Sequence, residues 1–203
     1  MLKAKAKKYL GVSFFLLEPI SSLSKSCSIT NTLYLFRYYG HVKPSKESFI
    51  AFKSPIGIIR VFERKGKVTA IDIAVPGSKV ASSNSLLLKS AQKELEAYFD
   101  GKLTKFTFPM DLSSGTDFQQ AVWKEINKIK FGQVKTYKDI AEAIGKPLAA
   151  RAVGGAVGSN PIPLAVGCHR VLGSSGKITG YSGGKGLPTK RMLLKLEGLD
   201  AKE

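Results

Sequence analysis

The sequence predicts an α/β fold: a small antiparallel sheet with one helix, followed by a mostly helical unit of helix-turn-helix type. Three observations predict it. β-rich runs alternate with turn signals from residue 48 to residue 75, and apolar residues recur at helical spacing from residue 85 onward. Two short helical segments joined by a tight turn, over 136–145 and 148–157, have the outline of a helix-turn-helix.

Residues 1–47 are expected to form an N-terminal extension. Lys3, Lys5, Lys7 and Lys8 precede a short apolar run from Tyr9 to Leu17 that ends at Glu18-Pro19. This outline fits either a targeting peptide or a poorly ordered extension, and the run is too short for a membrane-spanning helix. Leu33-Tyr34-Leu35-Phe36 is a strand candidate within it. A first domain is expected over 48–109. Phe49–Lys53, Ile58–Glu63 and Val68–Val75 read as a meander, broken by Ser54-Pro55-Ile56-Gly57 and Arg64-Lys65-Gly66-Lys67. Leu87, Ala91, Leu95 and Tyr98 or Phe99 then mark a helix over Ser85–Asp100 that Gly101 stops. No reactive constellation stands out in this domain, so its expected role is structural.

The second domain is expected over 110–203. Thr116 or Asp117 caps a helix with the apolar stripe Phe118, Val122, Ile126 and Ile129, and Gly132 is placed to end it. Trp123, on this helix, reads as core. The helix-turn-helix candidate follows, its second helix offering one cation, Arg151, among alanines and glycines. Such a helix has almost no side chains able to read base edges in a major groove. Its small residues suit close approach to a narrow groove, or else a plain helical hairpin with a small-residue packing face. A last helix over Pro188–Leu196 ends at Glu197, where a carboxylate opposes the helix dipole and invites a cationic or hydrogen-bonding partner such as His169.

Thirty-two Lys and Arg against fifteen Asp and Glu give a net charge of +17, which favours a polyanionic partner through phosphate contacts and counterion release. Nucleic acid is the expected partner class. Only Cys27 and Cys168 are present, so a disulfide framework is not expected and a reducing compartment is. His41 and His169 complete no metal-ligand spacing, and no metal is expected.

Chemistry is expected at Gly167-Cys168-His169-Arg170, which follows the apolar run Ile162–Val166 and precedes the loop Gly173–Gly176. The thiolate is the reactive form of cysteine, and neighbouring cations or hydrogen-bond partners increase its population. In an extended strand, His169 and Arg170 would point to opposite faces. The tetrapeptide alone leaves open a small buried hydrophobe at Cys168 or a reactive thiol, as in a Cys-His hydrolase.

The ordered set Phe118-Gln119, Val122-Trp123, Gly132, Thr136-Tyr137, Arg151-Ala152-Val153-Gly154, Asn160-Pro161, Cys168-His169-Arg170-Val171, Gly180–Gly184 and Leu196-Glu197-Gly198 resembles the O6-alkylguanine-DNA alkyltransferases. The resemblance runs over about residues 50–199. It implies a ribonuclease H-like first domain, a winged helix-turn-helix second domain, and direct, irreversible transfer of an alkyl group from O6 of a flipped-out guanine in double-stranded DNA to Cys168. By the same resemblance, His169 with Glu197 draws the proton from the thiol through a water, and Asn160 fixes the turn before the active-site strand. Arg151 fills the space left by the base, Tyr137 pushes on the phosphate, and Ala150, Ala152 and Gly154 meet DNA. Val171, Tyr181 and Ser182 receive the guanine. No cofactor, no membrane, a monomeric state and an intracellular location, cytoplasmic or nuclear in a eukaryote, are implied. A lesion-binding protein that resembles the alkyltransferase-like proteins is the alternative. Gly167 stands where the family usually has proline, which is expected to loosen the backbone beside the thiol, and Gly158 where a polar or basic residue is common.

Overall fold

Three strands open the fold: β1 (Ser48–Ser54), β2 (Gly57–Arg64) and β3 (Lys67–Ile73). They form an antiparallel meander in the order β1-β2-β3, with Ile50 opposite Val61 and Val61 opposite Ile71. Alternation dictates the inner face, where Ile50, Phe52, Ile59, Val61, Ile71 and Ile73 are buried. β3 stops at Ile73 rather than Val75, because Ala74 turns to φ 51°. The computed structural model describes residues 47–200, so Leu33–Phe36, His41 and Cys27 lie outside the described residues.

Helix α1 (Leu86–Phe99) packs against this sheet through Leu88, Ala91, Leu95 and Tyr98. Its start follows from Ser85, whose hydroxyl accepts from Leu88 N at 3.2 Å, and its end from Gly101 at φ 72°. Helix α2 (Asp117–Ile126) opens on a capping box between Thr116 and Gln119. It ends six residues before Gly132, contrary to the sequence expectation, because Lys128 and Ile129 turn back to Glu125 and Ile126 in short-range bonds that tighten the chain.

The short strand β4 (Lys135–Thr136) leads into α3 (Tyr137–Ala143), which Thr136 and Asp139 cap reciprocally. A 3₁₀ turn over Pro147–Ala149 then enters α4 (Ala150–Gly158). The second helix therefore begins later than the predicted Leu148: Pro147 has fixed the first turn in the tighter form. β4 pairs in parallel with β5 (Val171–Leu172), and α5 (Leu187–Leu196) closes the fold. The architecture is α/β, as the sequence predicts. The larger of two hydrophobic clusters among the described residues runs from Ile59 and Leu95 to Val122, Ile140, Val166 and Leu193, and Leu172, Ile178 and Leu194 form the smaller.

Trp123 belongs to that core and donates its indole N–H to Ala156 O at 2.7 Å, tying α2 to α4. Gly115 packs against its ring, and a methyl group there would press into it. The substitution Gly115→Ala is expected to cost about 1–3 kcal/mol of stability, since overpacking forces side chains off their rotamers. Urea unfolding followed by fluorescence of the single tryptophan reads that loss directly.

Candidate active site

Cys168 does not lie on an extended strand: Cys168–Arg170 forms a 3₁₀ turn. The turn is built from the preceding chain. Leu164 takes φ 73°, Val166 N donates to Ile162 O at 2.9 Å, and Cys168 N donates to Val166 O at 2.6 Å. Asn160 braces it from both sides, donating Nδ2 to Val166 O at 2.8 Å and accepting from Ile162 N at 3.0 Å. Consecutive residues on this turn reach the same neighbour, so His169 and Arg170 converge on Glu197 instead of diverging.

Gly167 keeps the backbone angle that proline would have here. Its φ of −66° is the value that a proline ring would impose. What glycine provides is space, because a Cβ at this position would lie 2.9 Å from both Cδ and Nη1 of Arg170.

Glu197, the residue that ends α5, is buried and accepts from five donors. His169 Nε2 lies at 2.7 Å, Arg170 Nε at 2.9 Å, Arg170 Nη2 at 3.0 Å, Tyr98 Oη at 2.8 Å and Gly132 N at 3.1 Å. Arg170 Nη1 is spent on Ile129 O at 2.7 Å. Burial alone would raise the Glu197 pKa, but the hydrogen bonds and charges of His169 and Arg170 outweigh it and hold the value at about 2. The carboxylate is therefore anionic, Nε2 of His169 carries the proton it accepts, and Nδ1 keeps a lone pair that no described protein group uses. Burial pushes the His169 pKa below its ordinary value despite Glu197, so the imidazole is neutral at rest.

The thiol of Cys168 is buried, which raises its pKa. A hydrogen bond from Asn160 and the charge of Lys190 act in the opposite direction. Lys190 is itself fully buried, donating Nζ to Val171 O at 2.5 Å and Thr179 O at 2.9 Å, and desolvation lowers its pKa to about 8. Tyr181 directs a buried hydroxyl, without a partner among the described residues, into the same region, and burial followed by the charge of Cys168 raises its pKa. Its ring fits because Gly183 has no side chain: a Cβ there would stand 2.9 Å from Cε1. Tyr137 donates to Thr179 O at 3.3 Å. A buried thiol, an imidazole whose tautomer Glu197 fixes, an ammonium group and a hydroxyl without a partner among the described residues thus lie in one buried region, and groups of these kinds suit displacement at a carbon bearing an oxygen leaving group.

A model of the DNA-binding domain of 6-O-methylguanine DNA methyltransferase matches residues 117–199, and one of its ribonuclease-like domain matches residues 47–112. The methylated-DNA–protein-cysteine methyltransferase of Methanosarcina barkeri is 43% identical over 152 residues, which cover 71% of this chain and 93% of that relative. The chain belongs to the 6-O-methylguanine DNA methyltransferase family. Among solved structures, the O6-methylguanine methyltransferase of Mycobacterium tuberculosis matches at 40% identity with a TM-score of 0.67, over 75% of this chain and 93% of that one. The crystal structure of Mycobacterium tuberculosis OGT in complex with DNA matches at 43% identity and 0.66, over 73% and 91%.

Within this methyltransferase-family chain, the predicted residues fall into two groups. Cys168, His169, Glu197, Asn160, Val171 and Tyr181 are linked through the buried cluster. Arg151 and Ala152 lie on the exposed side of α4, while Val153, Ala156 and Val157 face the core. Ala150 and Gly154 are half-buried, with Tyr137 beside Gly154, and the exposed Ser182 donates its hydroxyl to Gly158 O at 3.1 Å. Three participants were not expected: Tyr98, Gly132 and Lys190. Tyr98 carried a signal, because a buried tyrosine hydroxyl on an apolar helix face needs a partner. Lys190 also carried one, since it shares a helix face with Leu193 and Leu194. Among the described residues no three His, Cys, Asp or Glu gather as metal ligands, and no helix is long and apolar enough to cross a membrane.

The pH dependence of stability follows from Glu197. Its folded pKa lies below the usual 4.5, so its contribution is present above pH 4.5 and lost as pH falls toward 2. In the wild type the full loss is on the order of 3 kcal/mol, of which about 2 kcal/mol has gone by pH 3. In Glu197→Gln it is absent, and stability at pH 6 is lower by about 3–5 kcal/mol because Arg170 is left buried without its anion. Urea titrations of both chains at pH 6 and pH 3 check the difference of slopes.

Proposed function

We propose that this chain repairs DNA by moving a methyl group from O6 of guanine in double-stranded DNA onto Cys168, once per molecule. The observation that carries the reading is the buried thiol beside a neutral imidazole whose Nδ1 lone pair no described residue uses and whose Nε2 is fixed by Glu197. His169 accepts the thiol proton, through a water. The sulfur then attacks the methyl carbon, the S–C bond forms as the C–O6 bond breaks, and Tyr181 donates toward the guanine oxygen as it gains negative charge. The proton taken by His169 balances the released base. A thioether has no easy route back, so the protein is consumed.

The target atom is inside a duplex, and extruding its nucleotide costs a few kcal/mol, least where pairing is already damaged. That favours a guanine alkylated at O6 over its neighbours. The exposed small residues of α4 allow its backbone to approach a narrow groove, with Arg151 entering the stack and Tyr137 against the phosphate. Residues 110–203 form the DNA-binding and reacting domain, and 48–109 the supporting one. We infer a monomer working in a reducing compartment, the cytoplasm, or the nucleus in a eukaryotic cell. An alkyltransferase-like sensor would need no such thiol and base.

Incubation with duplex DNA carrying O6-[³H-methyl]guanine should leave label on Cys168 at no more than one equivalent. Cys168→Ala should take none, and His169→Ala should slow transfer by about 10²–10⁴-fold. Lesion binding without loss of the methyl group from DNA would overturn the proposal in favour of a sensor. DNA binding should weaken steeply with salt and again in Arg151→Ala, as measured by fluorescence anisotropy at two salt concentrations.

A further inference from the structure

Tyr98 belongs to α1, in the half of the chain to which sequence reasoning gave no chemistry. It is fully buried, and its ring packs among Phe99, Phe106 and Phe131 with centroids 5.4, 5.3 and 6.1 Å away. Packing alone would be served by phenylalanine. The hydroxyl instead crosses to α5, donating to Glu197 Oε1 at 2.8 Å, the oxygen that His169 Nε2 also engages at 2.7 Å.

We infer that Tyr98 is a positioning residue for methyl transfer: by sharing Glu197 Oε1 with His169, it limits how strongly the carboxylate draws a proton onto the imidazole. This rests on His169 being the base. A base must be free of its proton to act, and an anion fully committed to Nε2 would favour the imidazolium. The hydroxyl donor takes up part of that anion's charge. At 3.4 Å the Tyr98 oxygen is a weak acceptor for Nε2–H, so its donation to Glu197 is the larger effect. The other charged or titratable groups around His169 among the described residues are Lys190 on α5, Glu197 at its end, and Arg170 and Cys168 on its own turn, and removing this hydroxyl deletes none of them. Tyr98 itself stays neutral, since burial and the Glu197 charge hold its own pKa far above the ordinary phenol value.

The test is Tyr98→Phe, which keeps the ring contacts and deletes the donor. The sequence has two histidines, so His41→Gln leaves His169 as the single imidazole signal in an NMR pH titration of the full chain without DNA. The His169 pKa should rise by about half to one unit in Tyr98→Phe, a three- to tenfold gain in proton affinity. The acid limb of the single-turnover transfer rate should move up in pH by the same amount. A residue that only packs would lower the melting temperature and leave both midpoints where they were. An unchanged or lowered midpoint overturns the inference. Should the variant not fold, the wild type still decides: the Tyr98 hydroxyl proton should appear as an exchange-protected resonance with a cross-peak to the His169 Nε2 proton, and its absence overturns the inference. The titration needs no transfer. Failure of the labelling experiment therefore overturns the repair reading, whereas an unshifted midpoint in a chain that does take label overturns only the role of Tyr98.

Discussion

A single buried carboxylate holds this site together. Glu197 collects donors from α1, from the loop at Gly132, and from both His169 and Arg170 on the turn beside the thiol. Burying an anion is costly unless its lone pairs are satisfied, and here they are satisfied by segments far apart in sequence. The same bonds that make the charge tolerable therefore fix the relative positions of those segments. Stability and the imidazole tautomer are two consequences of one network.

The sheet half reaches the reacting half at a second point. Ile71 N on β3 donates to Pro161 O at 2.9 Å, beside the asparagine that braces the turn. Ile71 thus holds the start of the segment that presents Cys168, and Tyr98 holds the carboxylate that His169 and Arg170 engage. Near the thiol, the arrangement depends on missing side chains as much as on those present: Gly167 leaves room for Arg170 and Gly183 leaves room for Tyr181. The outer side of α4 is small in the same way, but there the space faces solvent.

Much of this was legible in the sequence, where local chemistry decides. Ser85, Thr116 and Thr136 announce the helix starts that the structure shows, and the apolar spacing of α1 identifies its buried face. The position of Glu197 at a helix end pointed to a partner, and His169 is one. What the sequence did not show is set by contacts between distant residues. The 3₁₀ turn at Cys168 depends on the left-handed Leu164 and the Asn160 brace, where an apolar run read as a strand. Gly132 looked like a helix stop, yet its N–H serves Glu197. Lys190 had no place in the sequence reading, and three carbonyls, those of Val171, Thr179 and Gly180, surround its ammonium group.

The space beside Gly167 makes positions 167 and 170 a coupled pair. Arg170 is pinned at both ends of its guanidinium, by Glu197 and by Ile129 O, so it cannot yield to a neighbouring Cβ without giving up one of them. A proline at 167 would keep the backbone angle, and its Cβ would press on the Arg170 side chain as it lies here. Exchanges at the two positions should accordingly be non-additive.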